Sequence, residues 1–183
     1  MYKLCKTEQS AQRQRELEQG LLEAMLIKNY EDISISDLCD HLQIPRKSFY
    51  RYFSSKDGAF HALLDHTLQE CSWFLNPFDD PVVTFEAYFR FWLSRKPLLD
   101  ALEKSGLSGK LVERTLNTAV IDQGFEDRLL RAFSGLNQQY VVLFIISGLM
   151  SVVIQWHHSG CEQTPLQMAH TVVRLLTEPL FSI

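Results

Sequence analysis

One short run of the chain combines side chains that could contact a polyanion. Between Gln43 and Lys56 the sequence has four cationic residues and no acidic one. Hydroxyl-bearing residues are interleaved with them, and the full set is Arg46, Lys47, Ser48, Tyr50, Arg51, Tyr52 and Lys56. Guanidinium, ammonium and hydroxyl donors are the groups that proteins place against the phosphates and base edges of DNA. The run therefore indicates DNA binding, against the alternative of a solvated charged surface.

The formal net charge of −4 is unfavourable for a protein that binds phosphate backbones, unless the charges are unevenly distributed. The first 60 residues carry nine basic and nine acidic side chains, and the remaining residues carry nine and 13. The excess of negative charge thus lies outside the N-terminal part, where the cations gather between Arg46 and Lys56. We expect a modest non-specific affinity for DNA that salt readily screens.

Two short helices are predicted to position the basic run. Ser34 and Asp37 have the spacing of a capping box, which opens a helix over 35–42. Pro45 suits the first turn of a second helix over 46–52, because the N–H that proline lacks would have no partner there. Two helices of this length joined by a three-residue turn have the proportions of a helix-turn-helix.

The rest of the chain is also predicted to be helical, since apolar residues recur at helical spacing and strand-type alternation does not persist. A first helix is predicted over 7–28, and Ser55 is suited to cap a long fourth helix. Lys56 would be the first residue of that helix, where a cation opposes the helix dipole unless an anion such as phosphate binds. Further helices are predicted over 82–96, 97–104, 108–123, 125–133, 136–158 and 165–180.

The segment from Ile33 to Asp57 resembles the DNA-binding domain of TetR-family transcriptional regulators. The residues that carry the resemblance are Tyr50-Arg51-Tyr52-Phe53, at the end of the second helix of the motif, and Ser55-Lys56, at the start of the next helix. The resemblance covers roughly residues 10–65. In the turn, Gln43 replaces the usual glycine and Pro45 replaces a common serine, so Gln43 must adopt the backbone conformation that the turn requires.

The resemblance implies a role for each residue of the basic run. Tyr50 and Lys56 would contact phosphates, and Tyr52 would lie near the DNA backbone. The residues at the start of the recognition helix, Arg46, Lys47 and Ser48, would face the major groove. Loss of Arg51 or Lys56 is expected to weaken binding. Phe49 and Phe53 match core positions.

The resemblance also implies an all-α architecture of two domains. Residues 1–55 would form a three-helix DNA-binding domain, joined by a long helix to a larger effector-binding and dimerisation domain in residues 56–183. The function implied is that of a repressor released from a palindromic operator by a small-molecule effector. The alternative is a helical protein–protein adaptor on the same scaffold without sequence-specific DNA binding, which the acidic net charge and the Gln43 turn would favour.

Aromatic residues are concentrated where the resemblance places an effector cavity. Eight of the 21 aromatic side chains fall between Trp73 and Trp92. A packed core is one interpretation of this concentration, and the wall of a largely apolar ligand pocket is the other. The predicted pocket residues are Trp73, Phe85, Tyr88, Phe89 and Trp92.

A long apolar stretch near the C-terminus predicts either a buried helix or a subunit interface. Residues 132–161 contain no Lys, Arg, Asp or Glu. A membrane span is the less favoured interpretation, because Ser147, Gly148 and Ser151 interrupt the apolar run and no basic cluster follows it. The resemblance implies that this helix and the last one form a homodimer, through Leu149, Val153, Trp156 and Leu176.

The sequence offers no pattern typical of an enzyme, a metal site or a secreted protein. Nucleophile-elbow, P-loop, dinucleotide-binding and zinc-protease motifs are missing, so we expect neither catalysis nor a cofactor. The four cysteines lack zinc-ligand or redox spacing, and we expect no metal. The N-terminus is polar and mixed in charge, unlike a signal peptide, which favours a cytoplasmic protein without a membrane partner.

Overall fold

The computed structural model describes residues 2–3, 5–74, 80–118, 135 and 137–178, and its regular structure within them is helical. The predicted all-α class is confirmed. The helices in these residues are α1 (Glu8–Ile27), α2 (Ile35–His41), α3 (Arg46–Tyr52), α4 (Lys56–Phe74), α5 (Pro81–Ser94), α6 (Lys96–Lys104), α7 (Ser108–Thr118), α8 (Gln138–His158) and α9 (Pro165–Thr177). A 3-10 turn, Tyr30–Asp32, connects α1 to α2. The helix predicted over 125–133 lies outside the described residues.

The chain divides into two compact units. The first consists of Met1–Thr67 and Pro97–Lys110, and the second of Leu68–Lys96 and Leu111–Ile183. The helix-turn-helix thus shares its unit with the start of α4 and with most of α6. A functional division between residues 55 and 56 stays a prediction.

Side-chain caps define where several helices begin. The predicted capping box of α2 is present: the Asp37 N–H donates to Ser34 Oγ at 3.0 Å, and the Ser34 N–H donates to Asp37 Oδ2 at 2.9 Å. Thr7 caps α1 and Thr164 caps α9 in the same reciprocal manner. Ser55 caps α4 as predicted, accepting from the Gly58 N–H at 3.1 Å. These bonds satisfy amides that the first helical turn leaves unpaired.

Helices α2, α6 and α8 end with the same hydrogen-bond pattern. In each, the second residue after the C-cap donates its N–H to the carbonyl of the residue five positions earlier. The pattern requires a left-handed residue just before that donor. At the ends of α6 and α8 this residue is glycine, with φ of 67° at Gly106 and 76° at Gly160. At the end of α2 it is Gln43, with φ of 52°, followed by an Ile44 N–H that donates to the Cys39 oxygen at 2.9 Å. Gln43 therefore adopts the backbone that the turn requires.

The core of the first unit holds α1, α2 and α3 together. The fully buried side chains in it include Leu21, Met25, Leu38, Phe49 and Phe53. Helix α1 also comes very close to the end of α2: a Cβ built on Gly20 would lie 2.5 Å from Leu42 Cδ2. The glycine at position 20 is therefore what permits this approach.

The core of the second unit is aromatic and joins α5, α8 and α9. Phe89 of α5 meets Trp156 of α8 in a T-shaped contact with ring centroids 5.4 Å apart. Trp92 of α5 and Val153 of α8 have no exposed surface, and neither has Ala169 of α9. The Trp156 indole N–H donates to the Gln163 carbonyl at 2.9 Å, which fixes the connection between α8 and α9.

Helix α8 has one buried and one exposed apolar face. Tyr140–His158 is long and apolar enough to cross a membrane by length and composition alone, with a mean hydropathy of 1.8, but soluble core helices meet the same criterion. Phe144 is 74% exposed and Tyr140 is 67% exposed. The predicted interface residues are placed elsewhere: Leu149, Val153 and Trp156 are buried within the chain itself, and Leu176 is half-buried. The predicted interface through these residues stays a prediction, and the surface that the chain itself leaves uncovered on α8 lies around Tyr140 and Phe144.

Candidate nucleic-acid interface

Helix α3 presents its basic residues to solvent because two phenylalanines anchor its other side. Phe49 and the adjoining Phe53 are fully buried, as predicted, with ring centroids 5.4 Å apart. The side of α3 opposite Phe49 is therefore left to face outward. The exposed residues are Arg46, Lys47, Tyr50 and Arg51, whereas Ser48 and Tyr52 are half-buried. The structure thus brings the predicted cations of α3 onto one accessible side of a fixed helix.

Pro45 lies one position earlier than predicted. It is the N-cap of α3, with φ −64° and ψ 139°, and Arg46 is the first helical residue. The Pro45 carbonyl accepts from the Ser48 N–H at 2.8 Å, so the ring still directs the chain into the helix. Its fixed φ suits this extended conformation as well as the first helical turn.

Lys56 makes contacts that sequence reasoning did not predict. Its Nζ donates to the carbonyl oxygens of Tyr30 at 2.6 Å and of Glu31 at 3.4 Å. The same ammonium lies 4.2 Å from the centroid of the Tyr30 ring, a cation–π geometry. Lys56 thus joins the start of α4 to the connection between α1 and α2. Two of its three donors are used, and a phosphate contact through the third stays a prediction.

Tyr30 is the residue that sequence reasoning missed. Its side chain is 5% exposed, and its hydroxyl donates to Asp57 Oδ1 at 2.6 Å. Burial, followed by the hydrogen bond to Asp57, raises the pKa of Tyr30 well above its ordinary value. The phenol is therefore neutral and remains a donor to the carboxylate. The adjacent residues Lys56 and Asp57 are the sequence feature that could have indicated this contact. An ammonium can bind the ring of a tyrosine, and a carboxylate can accept from its hydroxyl.

Family comparisons agree with this geometry. A model of the bacterial regulatory proteins of the tetR family matches residues 22–63, which include the whole helix-turn-helix. A second model, of a transcriptional regulator C-terminal region, matches residues 110–178. The two matches together span more than half of the chain. The chain belongs to the TetR family.

Solved structures with TetR-like folds extend the similarity along the chain. A tetR-family transcriptional regulator from Streptomyces coelicolor has a TM-score of 0.62 and 19% identity, over 91% of this chain and 79% of that chain. The fatty acid degradation regulator FadR from Bacillus halodurans has a TM-score of 0.67 and 14% identity, over 98% and 100%. The dihydroxyacetone kinase operon activator DhaS has a TM-score of 0.60 and 14% identity, over 90% and 93%. Curated proteins give no match.

Membership of the TetR family makes this protein a DNA-binding transcriptional regulator and not an enzyme. The adaptor alternative is therefore set aside. The predicted three-helix DNA-binding region, followed by a long helix and a larger helical region, agrees with the observed order of helices.

The predicted pocket residues of this TetR-family chain form an aromatic cluster in the second unit. Phe85, Tyr88, Phe89 and Trp92 are at most 4% exposed. The Tyr88 and Trp92 rings meet edge to face with centroids 6.3 Å apart. The side chain of Trp73 lies outside the described residues. The structure brings four of the five residues together on α5, so both the core and the pocket interpretations stay open for them.

One polar atom in this cluster lacks a hydrogen bond. Trp92 Nε1 is buried and has no acceptor in hydrogen-bonding geometry. Burial raises the pKa of the Cys71 thiol and of the Tyr88 hydroxyl, while the neighbouring Trp92 indole opposes both shifts. Both groups are therefore neutral, and the indole N–H lies near them without a well-aligned hydrogen bond. An unpaired buried donor costs about 1–3 kcal/mol.

Proposed function

We propose that this TetR-family regulator is a cytoplasmic homodimeric repressor, released from a palindromic operator by a small apolar or amphipathic effector. The observation that carries the proposal is the exposed basic side of α3, held on the buried Phe49. Arg46, Lys47 and Ser48 at the start of α3 would read the major groove. Tyr50, Arg51, Tyr52 and Lys56 would contact the DNA backbone.

The mechanism proposed is an equilibrium between two conformations. Effector binding in the second unit would favour the conformation in which the two recognition helices of the dimer no longer match the spacing of successive major grooves. A ligand can shift this equilibrium only by its difference in affinity for the two conformations. The proposal therefore requires that effector and operator weaken each other's binding by the same factor.

The unpaired Trp92 N–H supports a particular chemistry for the effector. An apolar molecule with one hydrogen-bond acceptor, such as a carbonyl or carboxylate oxygen, would satisfy the indole among the surrounding aromatic rings. One of the fold neighbours is described as a fatty acid degradation regulator, which is consistent with an apolar ligand carrying an acidic head. Another is described as an operon activator, so the direction of regulation needs its own measurement.

Selection of bound sequences from a random duplex library tests the proposed operator. We expect enrichment of an inverted repeat whose half-sites are about 10 base pairs apart, centre to centre, or a near multiple of that spacing. Arg46→Gln should weaken binding and relax the preference at one base position, by about 1–3 kcal/mol. Enrichment of an asymmetric sequence, or of none, would contradict the proposal. A transcription assay on the selected site, with and without protein, distinguishes repression from activation.

A further inference from the structure

We propose that a groove beside α3, built from the N-terminal segment and the start of α1, binds the phosphate backbone of DNA next to the half-site. This second contact lies outside the helix-turn-helix and involves Lys3 and Lys6. It rests on the proposed binding of DNA through α3.

The groove is lined by charged and polar side chains together with apolar ones. Its volume is about 660 Å³, and the charged residues that line it are Lys3, Lys6, Arg13, Glu16 and Arg51. Four of these residues are cationic, and Glu16 is the one acidic residue among them. Glu16 pairs with Arg13 at 2.6 Å, which leaves Lys3, Lys6 and Arg51 as an excess of positive charge in the groove.

The groove continues the surface already assigned to DNA. Ser48, Arg51 and Tyr52 belong to α3 and also line the groove. A DNA strand whose bases meet α3 would therefore pass the groove with its neighbouring phosphates. The phosphate contacts of a regulator fix its position on the duplex and are not restricted to the recognition helix.

The N-terminal segment that carries Lys3 is held in place. The Lys3 N–H donates to the Tyr52 carbonyl at 3.1 Å, and the Lys3 carbonyl accepts from Gln14 Nε2 at 3.0 Å. Tyr2 donates its hydroxyl to Asp65 of α4 at 2.8 Å. The backbone of Lys3 is thus fixed beside the end of α3 before DNA binds, so less backbone entropy is lost on binding.

The exposure of the cations favours a DNA strand over a small anion as the occupant. Lys3, Lys6 and Arg51 are exposed at the border of the groove. A small phosphorylated molecule is usually enclosed by donors that converge on it from a buried wall. An extended polyanion, by contrast, gains from each exposed cation through release of its own counterions.

The test compares variants that each lose one positive charge. Lys3→Gln, Lys6→Gln and the double variant are measured against Arg90→Gln, a control on α5 in the other unit whose side chain is 68% exposed. The probe is a 30-base-pair duplex of mixed sequence, with binding followed by fluorescence anisotropy between 50 and 200 mM NaCl.

We expect each lysine variant to flatten the salt dependence of binding. The slope of log K against log salt should become shallower by about 0.9 for each lysine that is lost from each bound subunit. Between 50 and 200 mM NaCl, each lost contact then makes the decline in affinity about threefold smaller. Arg90→Gln should keep the wild-type slope. Both lysines are exposed, and an unchanged thermal midpoint confirms that the variants fold.

Three outcomes would overturn the proposal. A wild-type slope in the double variant would show that DNA does not occupy the groove, while normal binding by the same sample would leave the role of α3 intact. Failure of the wild type to bind the duplex would reject both. Calorimetric binding of inorganic phosphate that is lost in the double variant, together with an unchanged DNA slope, would assign the groove to a free anion.

Discussion

At the scale of single residues, Tyr30 and Lys56 show how a cation assigned to DNA by its position also stabilises the protein. Lys56 opposes the dipole of α4, but its ammonium is compensated by the Tyr30 carbonyl, 2.6 Å away, and by the Tyr30 ring. Substitution of Lys56 would therefore change both DNA binding and the stability of the first unit. A loss of DNA affinity in such a variant has to be interpreted together with its unfolding free energy.

The raised pKa of Tyr30 predicts a loss of stability in alkali. The pKa of Tyr30 in the folded protein lies above the ordinary value near 10, which applies to the unfolded chain. The contribution of Tyr30 to the free energy of unfolding is therefore complete below about pH 10. It declines above about pH 10, because the tyrosine then ionises in the unfolded chain. One such tyrosine lowers the unfolding free energy by about 1.4 kcal/mol for each pH unit above that value. We expect Tyr30→Phe to reduce this pH dependence, as measured by urea unfolding at pH 9, 10 and 11.

Tyr50→Phe is the matched control, because the Tyr50 ring is 42% exposed on α3. It should retain the wild-type decline in stability with pH. Tyr88 is buried and has a raised pKa as well, so part of the decline will persist in Tyr30→Phe. Identical pH profiles for Tyr30→Phe and the wild type would contradict the assignment.

At the scale of helices, the helix-turn-helix depends on how closely α1 meets the end of α2. An alanine Cβ at position 20 would lie 2.5 to 2.8 Å from three atoms of Leu42, so this side chain would have to move. We expect Gly20→Ala to destabilise the protein by about 1–2 kcal/mol despite the better helix propensity of alanine. Chemical unfolding of the single variant measures the effect.

Truncation of Leu42 should reverse the sign of that effect. In a Leu42→Ala background the three atoms nearest to the new methyl group are removed. Gly20→Ala should then stabilise by up to about 1 kcal/mol. Gly109→Ala in the first turn of α7, where a Cβ meets nothing within 4 Å, is the control for a methyl group added without a steric contact. Equal effects of Gly20→Ala in both backgrounds would show that the contact with Leu42 is not the cause.

The left-handed conformation of Gln43 predicts that glycine would be more stable there. A non-glycine residue with φ of 52° carries a strain of about 1 kcal/mol or more. Gln43→Gly should raise the thermal midpoint, and Gln43→Val should lower it, because branching at Cβ increases the clash. A valine variant as stable as the glycine variant would contradict this explanation.

Local signals explain why α2 and α3 were predictable and the buried face of α8 was not. Capping boxes and prolines act within a few residues, so Ser34, Asp37 and Pro45 located α2 and α3 to within about one residue. Helix α8 is apolar on all sides, so its sequence contains no polar face to indicate which side packs inward. The sequence therefore does not indicate that Leu149 and Val153 lie on the buried side of α8. It does not indicate the contact of Lys56 with Tyr30 either, because 26 residues separate them.

At the scale of the whole molecule, the exposed face of α8 is the surface that the proposed homodimer would bury. Phe144, Tyr140 and Leu143 are 74%, 67% and 46% exposed, and Gly148 and Ser151 on the same helix are exposed as well. Small residues beside aromatic ones permit close approach of a second helix. We propose that this surface contributes to the interface beside the predicted residues Leu149, Val153, Trp156 and Leu176.

We therefore expect Phe144→Glu to convert the dimer to a monomer, since it would bury a carboxylate without a partner. Sedimentation equilibrium gives the mass, with Val83→Glu as control because Val83 is a 41% exposed apolar residue on α5. The monomer should also lose most of its operator affinity, which requires two half-sites. A wild-type protein that sediments with the mass of one chain would refute the homodimer.

The attachment of the N-terminal segment has a practical consequence for the preparation of this protein. Tyr2 and Lys3 are hydrogen-bonded to α4 and to the end of α3. A purification tag or fluorescent fusion joined ahead of this segment would therefore lie close to α3, the helix proposed to bind DNA, where a polyhistidine or acidic extension would alter the local charge. Affinity measurements are better made on protein whose tag has been removed without residual residues.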